Sequence, residues 1–180
     1  VLGGPVRHLR AYAPSQVVPG EEFAILVRPE DEFCNLSCEF AGDLSVFERG
    51  REIHARAERV DRSTCMRLHL RLDDAGTYHL PASAAGLSSA VSSAFTVSHA
   101  TASQLVLTSQ PGPNAVAGIA FTNQPVVEIA DDFGNRITED STSQVTAAGH
   151  DSAPGLEGTM TMTASNGLVT FTNLAFDVAT

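Results

Sequence analysis

Three cysteines carry the most distinctive chemistry of this sequence, and all of them lie in its first 65 residues. Cys34 and Cys38 are close neighbours, and Cys65 follows in a later segment. In an extracellular protein, three cysteines predict one disulfide and one remaining thiol. Cys34–Cys38 would close a small loop and Cys38–Cys65 would tie that loop to a neighbouring strand, with buried inert thiols as the alternative. The C-x3-C spacing lacks the second ligand pair of a structural zinc site.

Carboxylates form the second set of candidate ligands. Acidic residues cluster around Asp31 and around Asp131 and Asp132, and Ca²⁺ prefers carboxylate oxygens. Neither cluster has the D-x-D-x-D-G spacing of a regular calcium loop, and turn chemistry is the competing interpretation. Asp31, Asp131 and Asp132 are therefore weak calcium candidates, and no other cofactor or metal is expected.

No motif indicates catalysis. The sequence has no G-x-S-x-G elbow, H-E-x-x-H pair, phosphate loop or dinucleotide fingerprint, so no catalytic or cofactor-binding residue is assigned and we do not expect an enzyme. The histidines have no metal-ligand spacing along the chain; they are His8, His54, His69, His79, His99 and His150. With no tryptophan to stack on a sugar face, the sequence also argues against carbohydrate binding. Asn35 opens an Asn-Leu-Ser sequon and is a candidate for glycosylation.

Charge and hydropathy exclude two classes of partner. The net charge is −10, whereas nucleic-acid binding needs a basic surface. No apolar run reaches the roughly 18–20 residues of a membrane-spanning helix, so membrane insertion is not expected. The chain begins at Val1 without a basic and apolar leader, which predicts a mature or internal start.

The elements that must position these residues are β-strands. Residues 66–72 alternate strictly between apolar and polar, and 159–163 and 169–171 repeat the pattern, which is typical of strands with one buried face. No apolar pattern of helical period with capping signals competes with them. Short strands between Gly, Pro, Asn and Asp clusters predict an all-β sandwich. The side chains expected to point inward are Met66, Leu68, Leu70, Leu72, Met160, Met162, Val169 and Phe171.

A repeat divides the chain. DEFCN at 31–35 returns as DDFGN at 131–135, which predicts two copies of one sandwich, at 1–99 and 100–180, with the boundary near the small polar segment 98–104. Each motif is interpreted as a tight turn after a strand, in which Asp or Asn bonds the backbone, Gly134 takes a positive φ beside Asn135, and the phenylalanine packs on the core. Cys34 in place of glycine predicts a different turn in the first copy.

A second motif identifies the kind of sandwich. Asp74, Gly76 and Tyr78 form a D-x-G-x-Y pattern that resembles the tyrosine corner of immunoglobulin-like domains, in which the tyrosine hydroxyl bonds back to the backbone. Leu80 stands where antibody domains place a cysteine, so the disulfide-pinned antibody type is excluded.

Three segments extend this resemblance: DDFGN, GTMTMTASNGLVTF and AGTYHLPASAAGL. They resemble the tandem immunoglobulin-like repeats of large surface and secreted proteins, including bacterial immunoglobulin-like, invasin-related and filamin-like modules. The resemblance covers nearly all of 101–180 and, more loosely, 6–98. It specifies the fold better than the function.

Alignment of the two copies predicts an incomplete second sandwich. Asp177 is the counterpart of Asp74, and the chain ends soon after it. We therefore expect the second copy to lack its last two strands, F and G, within this chain. It should then leave an apolar face uncovered, including Phe171, Leu174 and Phe176.

The resemblance implies a non-enzymatic structural or adhesive repeat segment of a larger extracellular or cell-surface protein or filament, acting as a spacer and assembly module. Its partners would be neighbouring immunoglobulin-like repeats of the same chain or other subunits of an assembly. Two alternatives stay open. One is an accessory immunoglobulin-like module of a secreted hydrolase, and the other is a filament subunit that exchanges strands with a neighbour.

Overall fold

The structure is a computed structural model, and it describes residues 3–37, 39–61, 63–112, 114–149 and 155–177. Every helix or strand found in these ranges is a β-strand. Contacts divide the chain into two compact units, Val1–Ser98 and His99–Thr180. The described ranges contain no helix with the length and apolar character needed to span a membrane.

The first unit is built from two layers of strands around one core. In one layer β1, β3, β7 and β6 pair in that order as an antiparallel sheet. The other strands pair as β10-β9-β4-β5 and as β2-β11-β8. The bounds are β1 His8–Tyr12, β2 Gln16–Val17, β3 Phe23–Glu30, β4 Ser45–Glu48, β5 Arg51–Ile53, β6 Arg56–Arg59, β7 Met66–Leu70, β8 Gly76–Tyr78, β9 Pro81–Ser83, β10 Ala90–Val91 and β11 Phe95–Val97.

The alternating strand β7 behaves as its sequence predicts. Leu68 and Leu70 are buried and Met66 packs against the core, whereas Arg67 is exposed. Leu72, just past the strand, is buried as well. Period-2 alternation therefore assigns this strand's faces correctly.

Aromatic rings close the first core beside the tyrosine corner. Phe95 lies with its ring centroid 5.4 Å from that of Phe23 and 5.8 Å from that of Tyr78. The Tyr78 hydroxyl donates a hydrogen bond of 2.8 Å to the Asp74 carbonyl. Burial raises the pKa of Tyr78, so the hydroxyl keeps the proton that this bond requires.

The second unit repeats the frame of the first. Its strands β12, β13 and β17 form an antiparallel sheet in the same order as β1, β3 and β7. β14 pairs with β16, and β15 pairs with β18. The bounds are β12 Gln104–Ser109, β13 Val126–Ala130, β14 Gln144–Thr146, β15 Leu156–Glu157, β16 Thr161–Thr163, β17 Leu168–Thr170 and β18 Ala175–Phe176. The chain is thus all-β, as predicted, and has the architecture of immunoglobulin-like β-sandwich domains.

One inward-facing prediction in the second unit is wrong. Val169 and Phe171 are buried and Met162 packs against the core, as expected. Met160 lies just before β16, which begins at Thr161, and is exposed instead. The alternation of the sequence therefore continues beyond the strand itself.

The expected uncovered face around Phe171, Leu174 and Phe176 is also wrong. Phe171 and Leu174 are buried, and the ring centroid of Phe176 lies 5.5 Å from that of Phe121. The segment before β13 covers them, because Gly118 donates its N–H to the Phe176 carbonyl at 2.7 Å and Phe121 donates to the Leu174 carbonyl at 2.9 Å. Residues far earlier in the chain thus close this end of the core.

The tyrosine-corner bond can be tested by a single-atom deletion. Tyr78→Phe removes the hydroxyl donor and leaves the Asp74 carbonyl without it, so we expect the free energy of unfolding to fall by about 1 kcal/mol. Tyr12→Phe, at an exposed position, is the matched control and should change it by less than about 0.5 kcal/mol. Chemical denaturation followed by circular dichroism measures both, and equal effects of the two substitutions would contradict the role of the corner.

Candidate functional site

The first repeat motif is a turn built around a buried carboxylate. Asp31, 3% exposed, accepts hydrogen bonds at Oδ1 from the backbone N–H groups of Phe33 and Asn35, both at 2.9 Å. Its Oδ2 accepts from the N–H of Gly4 at 2.9 Å and from Asn35 Nδ2 at 3.2 Å. These bonds, that from Gly4 above all, outweigh burial and hold the pKa of Asp31 at about 2.

The second motif reproduces this arrangement. Asp131, 0% exposed, accepts at Oδ1 from Phe133 at 3.0 Å and Asn135 at 2.8 Å. Its Oδ2 accepts from the N–H of Ala100 at 2.8 Å and from Asn135 Nδ2 at 3.0 Å. Burial is the largest single influence and raises the pKa of Asp131, but the bonds from Ala100, Asn135 and Phe133 together lower it below its ordinary value.

The backbone of the two turns is the same. Cys34 donates its N–H to the Asp31 carbonyl at 3.2 Å, and Gly134 donates to the Asp131 carbonyl at 3.0 Å. The φ angles are 64° at Cys34 and 87° at Gly134. The expectation that cysteine marks a different turn is therefore wrong: Cys34 holds a left-handed conformation that favours glycine.

The aspartates bond the backbone of their turns as predicted, but the predicted packing of the phenylalanines on the core is wrong. Phe33 is 76% exposed and Phe133 is 44% exposed, so neither ring packs into a core. The buried member of each turn is the aspartate. The turn is fixed by hydrogen bonds to a carboxylate rather than by packing of a ring.

The expected disulfide is not supported. Cys34 is an exposed free thiol and Cys65 a half-buried one, while Cys38 lies outside the described residues. The Sγ atom of Cys34 faces two other groups, His8 Nε2 and Arg10 Nη2, each 3.9 Å away. The turn therefore places the Cys34 sulfur next to the side chains of β1.

A polar cluster surrounds that sulfur. Glu30, 2% exposed, places Oε2 at 3.1 Å from His8 Nε2 and accepts a 2.8 Å hydrogen bond from Arg10 Nε. Its Oε1 lies 3.2 Å from Arg28 Nε. Hydrogen bonding to Glu30 is the main cause of the raised pKa of Arg10.

Strand register brings the cluster together. His8 on β1 lies opposite Glu30 on β3 in the antiparallel ladder, and the turn after Glu30 returns the chain so that Cys34 lies beside both. One ligand atom from each of these three residues lies within 4.8 Å of the others. No spacing along the chain indicates this group, although the cysteine–glycine difference between the two motifs marks one of its members.

The remaining candidate residues are placed as follows. The carboxylates of Asp31 and Asp131 are occupied by N–H donors, so Ca²⁺ would have to compete with these bonds, and Asp132 is exposed on its turn. Asn35 is exposed, but its Nδ2, the atom that would carry a glycan, donates to Asp31. Ser37, the third residue of the sequon, is buried and donates its hydroxyl to the Gly4 carbonyl at 2.9 Å.

Comparison with known proteins adds a likeness of fold. The sequence matches no protein-family model and no curated protein. Among solved structures, the Escherichia coli adhesin FdeC is similar over 98% of this chain, with a TM-score of 0.51 and 14% identity. A Salmonella alpha-2-macroglobulin is similar over 97% of this chain and 13% of its own, with a TM-score of 0.42 and 13% identity.

This chain spans 59% of the FdeC chain. At that identity the likeness shows the fold alone. It fits immunoglobulin-like repeats and leaves the family of the chain unassigned.

The anchored turns predict a pH dependence of stability. The folded pKa values of Asp31 and Asp131 lie below the ordinary value of 3.8, Asp31 at about 2. The stability from their ionised forms is therefore present in full above the ordinary pKa and is lost as the pH falls below 3.8, in the case of Asp31 toward about 2. We expect Asp31→Asn with Asp131→Asn to lower the thermal midpoint at neutral pH and to flatten its fall in this acid range.

Asp132→Asn is the control for this experiment, because Asp132 is exposed beside the second turn. Thermal unfolding followed by circular dichroism across the acid range measures all variants. If the double variant kept the acid transition of the unsubstituted chain, the two carboxylates would not be its source.

Proposed function

We propose that this chain is a non-enzymatic structural or adhesive repeat segment of a larger extracellular surface protein or filament, in which it acts as a spacer and assembly module. The observation that carries the proposal is that one frame is built twice in succession. β1-β3-β7 and β12-β13-β17 have the same order, and each frame ends in the same carboxylate-anchored turn. Repetition of one folded unit along a chain is how spacer proteins gain length.

The likeness to the FdeC adhesin supports the same proposal. It extends over 98% of this chain, and FdeC is an adhesin. A surface-exposed location for this chain is part of the proposal.

The first residues of the second unit are hydrogen-bonded to its carboxylate-anchored turn and to a neighbouring glutamate. Ala100 donates its N–H to Asp131, and the ring of His99 contacts the Glu139 carboxylate and the Ala100 carbonyl. The bond to that carbonyl, followed by the one to Glu139, raises the pKa of His99. The chain is thus held to the second unit from its first residues.

An open apolar surface on β12 supports the assembly part of the proposal. Leu105 and Leu107 are 58% and 54% exposed, whereas their register counterparts in the first unit, Leu9 and Ala11, are buried. In the first unit β1 packs beside β10. The second unit has a groove of about 390 Å³ at this place, lined by residues that include Leu105 and Val145.

We infer that a further extended segment, equivalent to β10, covers this groove in the native protein and comes from the same polypeptide. A surface of this kind left uncovered would be an aggregation site. Coverage by another subunit is the alternative, as in strand-exchanged filaments.

Intact mass of the protein from its native source tests the proposal. We expect surface labelling of the source to mark the protein. Its mass should be well above 18.9 kDa, with further β-repeats in the same polypeptide. A mass equal to that of the 180 residues would overturn the inference that a segment of the same polypeptide covers the groove, and would favour coverage by a neighbouring subunit. A catalytic domain in the same polypeptide would overturn the spacer function and favour an accessory module of a hydrolase.

A further inference from the structure

We propose that His8, Glu30 and Cys34 form a binding site for a divalent transition metal, of which Zn²⁺ is the best match. Imidazole nitrogen, carboxylate oxygen and thiolate sulfur are the three ligand types that zinc takes in proteins. The site is specific to the first unit and does not depend on the proposed spacer function.

The distances fit a tetrahedral ion. With metal–ligand bonds of about 2.0–2.3 Å, ligand atoms on a tetrahedral zinc stand roughly 3.3–3.8 Å apart. His8 Nε2 lies 3.1 Å from Glu30 Oε2 and 3.9 Å from Cys34 Sγ. The third separation, between Glu30 Oε2 and Cys34 Sγ, is within 4.8 Å. Side-chain adjustments of up to about 1 Å would therefore bring the three atoms onto one tetrahedral ion, with the fourth position left for water.

The second unit provides an internal comparison. The β12–β13 register places Gln104 opposite Ala130, where β1 and β3 place His8 opposite Glu30. Gly134 takes the place of Cys34 in a turn with the same hydrogen bonds. All three candidate ligands are thus replaced by non-ligating residues on a backbone frame that is otherwise repeated, so the fold alone does not require them.

The conformation of Cys34 adds to this comparison. Its φ of 64° is one that glycine adopts at no steric cost, and glycine occupies this position in the second turn. Strained residues persist where the surroundings or a function hold them. In this conformation the Cys34 sulfur lies beside His8 and Glu30, where it can bind a metal ion.

Two arginines contact Glu30 and would compete with a metal ion for its carboxylate. Arg10 bonds the same Glu30 oxygen that would meet the metal, but it lies near the surface with its side chain 53% exposed and can turn into solvent. Arg28 can stay on the other oxygen. The Cys34 thiol gives its proton to solvent as the metal–sulfur bond forms, so the thiolate and carboxylate together balance the charge of a divalent ion.

Titration with Co²⁺ tests the site, since a cobalt–thiolate bond gives a near-ultraviolet charge-transfer band and tetrahedral Co²⁺ gives intense visible bands. The protein should carry Cys38→Ser and Cys65→Ser and be kept reduced, so that Cys34 is the one thiol left. We expect one Co²⁺ per chain, both sets of bands, and displacement of the cobalt by Zn²⁺. Failure of the reduced protein to bind either metal would overturn the proposal.

Two variants take their substitutions from the second unit and so preserve the frame. Cys34→Gly should abolish the charge-transfer band, lower Co²⁺ affinity at least tenfold, and raise the thermal midpoint of the metal-free protein by roughly 4 °C through relief of strain. His8→Gln should also lower the affinity at least tenfold. If His8→Gln left cobalt binding unchanged, the metal would be held by a single thiolate and the site as proposed would be wrong.

Discussion

The buried carboxylate at the end of β3 and β13 is the interaction on which the rest of each unit depends. An ionised group in a protein interior is costly unless hydrogen bonds replace its lost water. Asp31 and Asp131 each meet this condition with four N–H donors, supplied by their own turn and by the segment that leads into the unit. One side chain therefore sets the turn and fixes the incoming chain against the sheet.

Repetition of this anchor explains why two units with different surfaces share one frame. The carboxylate and its donors fix the backbone, so the neighbouring positions are free to differ. In the first unit those positions are His8, Glu30 and Cys34, and in the second they are occupied by residues without ligand chemistry. The anchored turn is therefore common to both units, and the potential metal ligands lie beside it in the first unit.

Much of the fold could be predicted from the sequence because its determinants are local. Strict alternation places Leu68 and Leu70 inside, and the tyrosine pattern indicates the immunoglobulin-like class. Prediction fails where the deciding contact comes from far along the chain. Phe171 and Leu174, for example, are covered by a segment that ends some 50 residues before them.

Prediction of the candidate site from the sequence was limited in the same way, by contacts between distant parts of the chain. DEFCN and DDFGN identify a turn, yet the choice of aspartate over phenylalanine as the buried residue depends on the N–H groups of Gly4 and Ala100. His8 and Glu30 meet only through the register of β1 and β3. No spacing along the chain encodes that meeting, although the contrast between Cys34 and Gly134 indicated where the two copies diverge.

Hydrogen exchange at the turn amides is the most direct test of this account. The N–H groups of Phe33, Asn35, Phe133 and Asn135 lie on exposed turns, and a carboxylate is their bonded partner. If the buried aspartates anchor the two units, these amides exchange about as slowly as those of the core strands β3 and β13. Exchange at the rate of an unprotected loop would contradict the claim that the frame depends on these carboxylates.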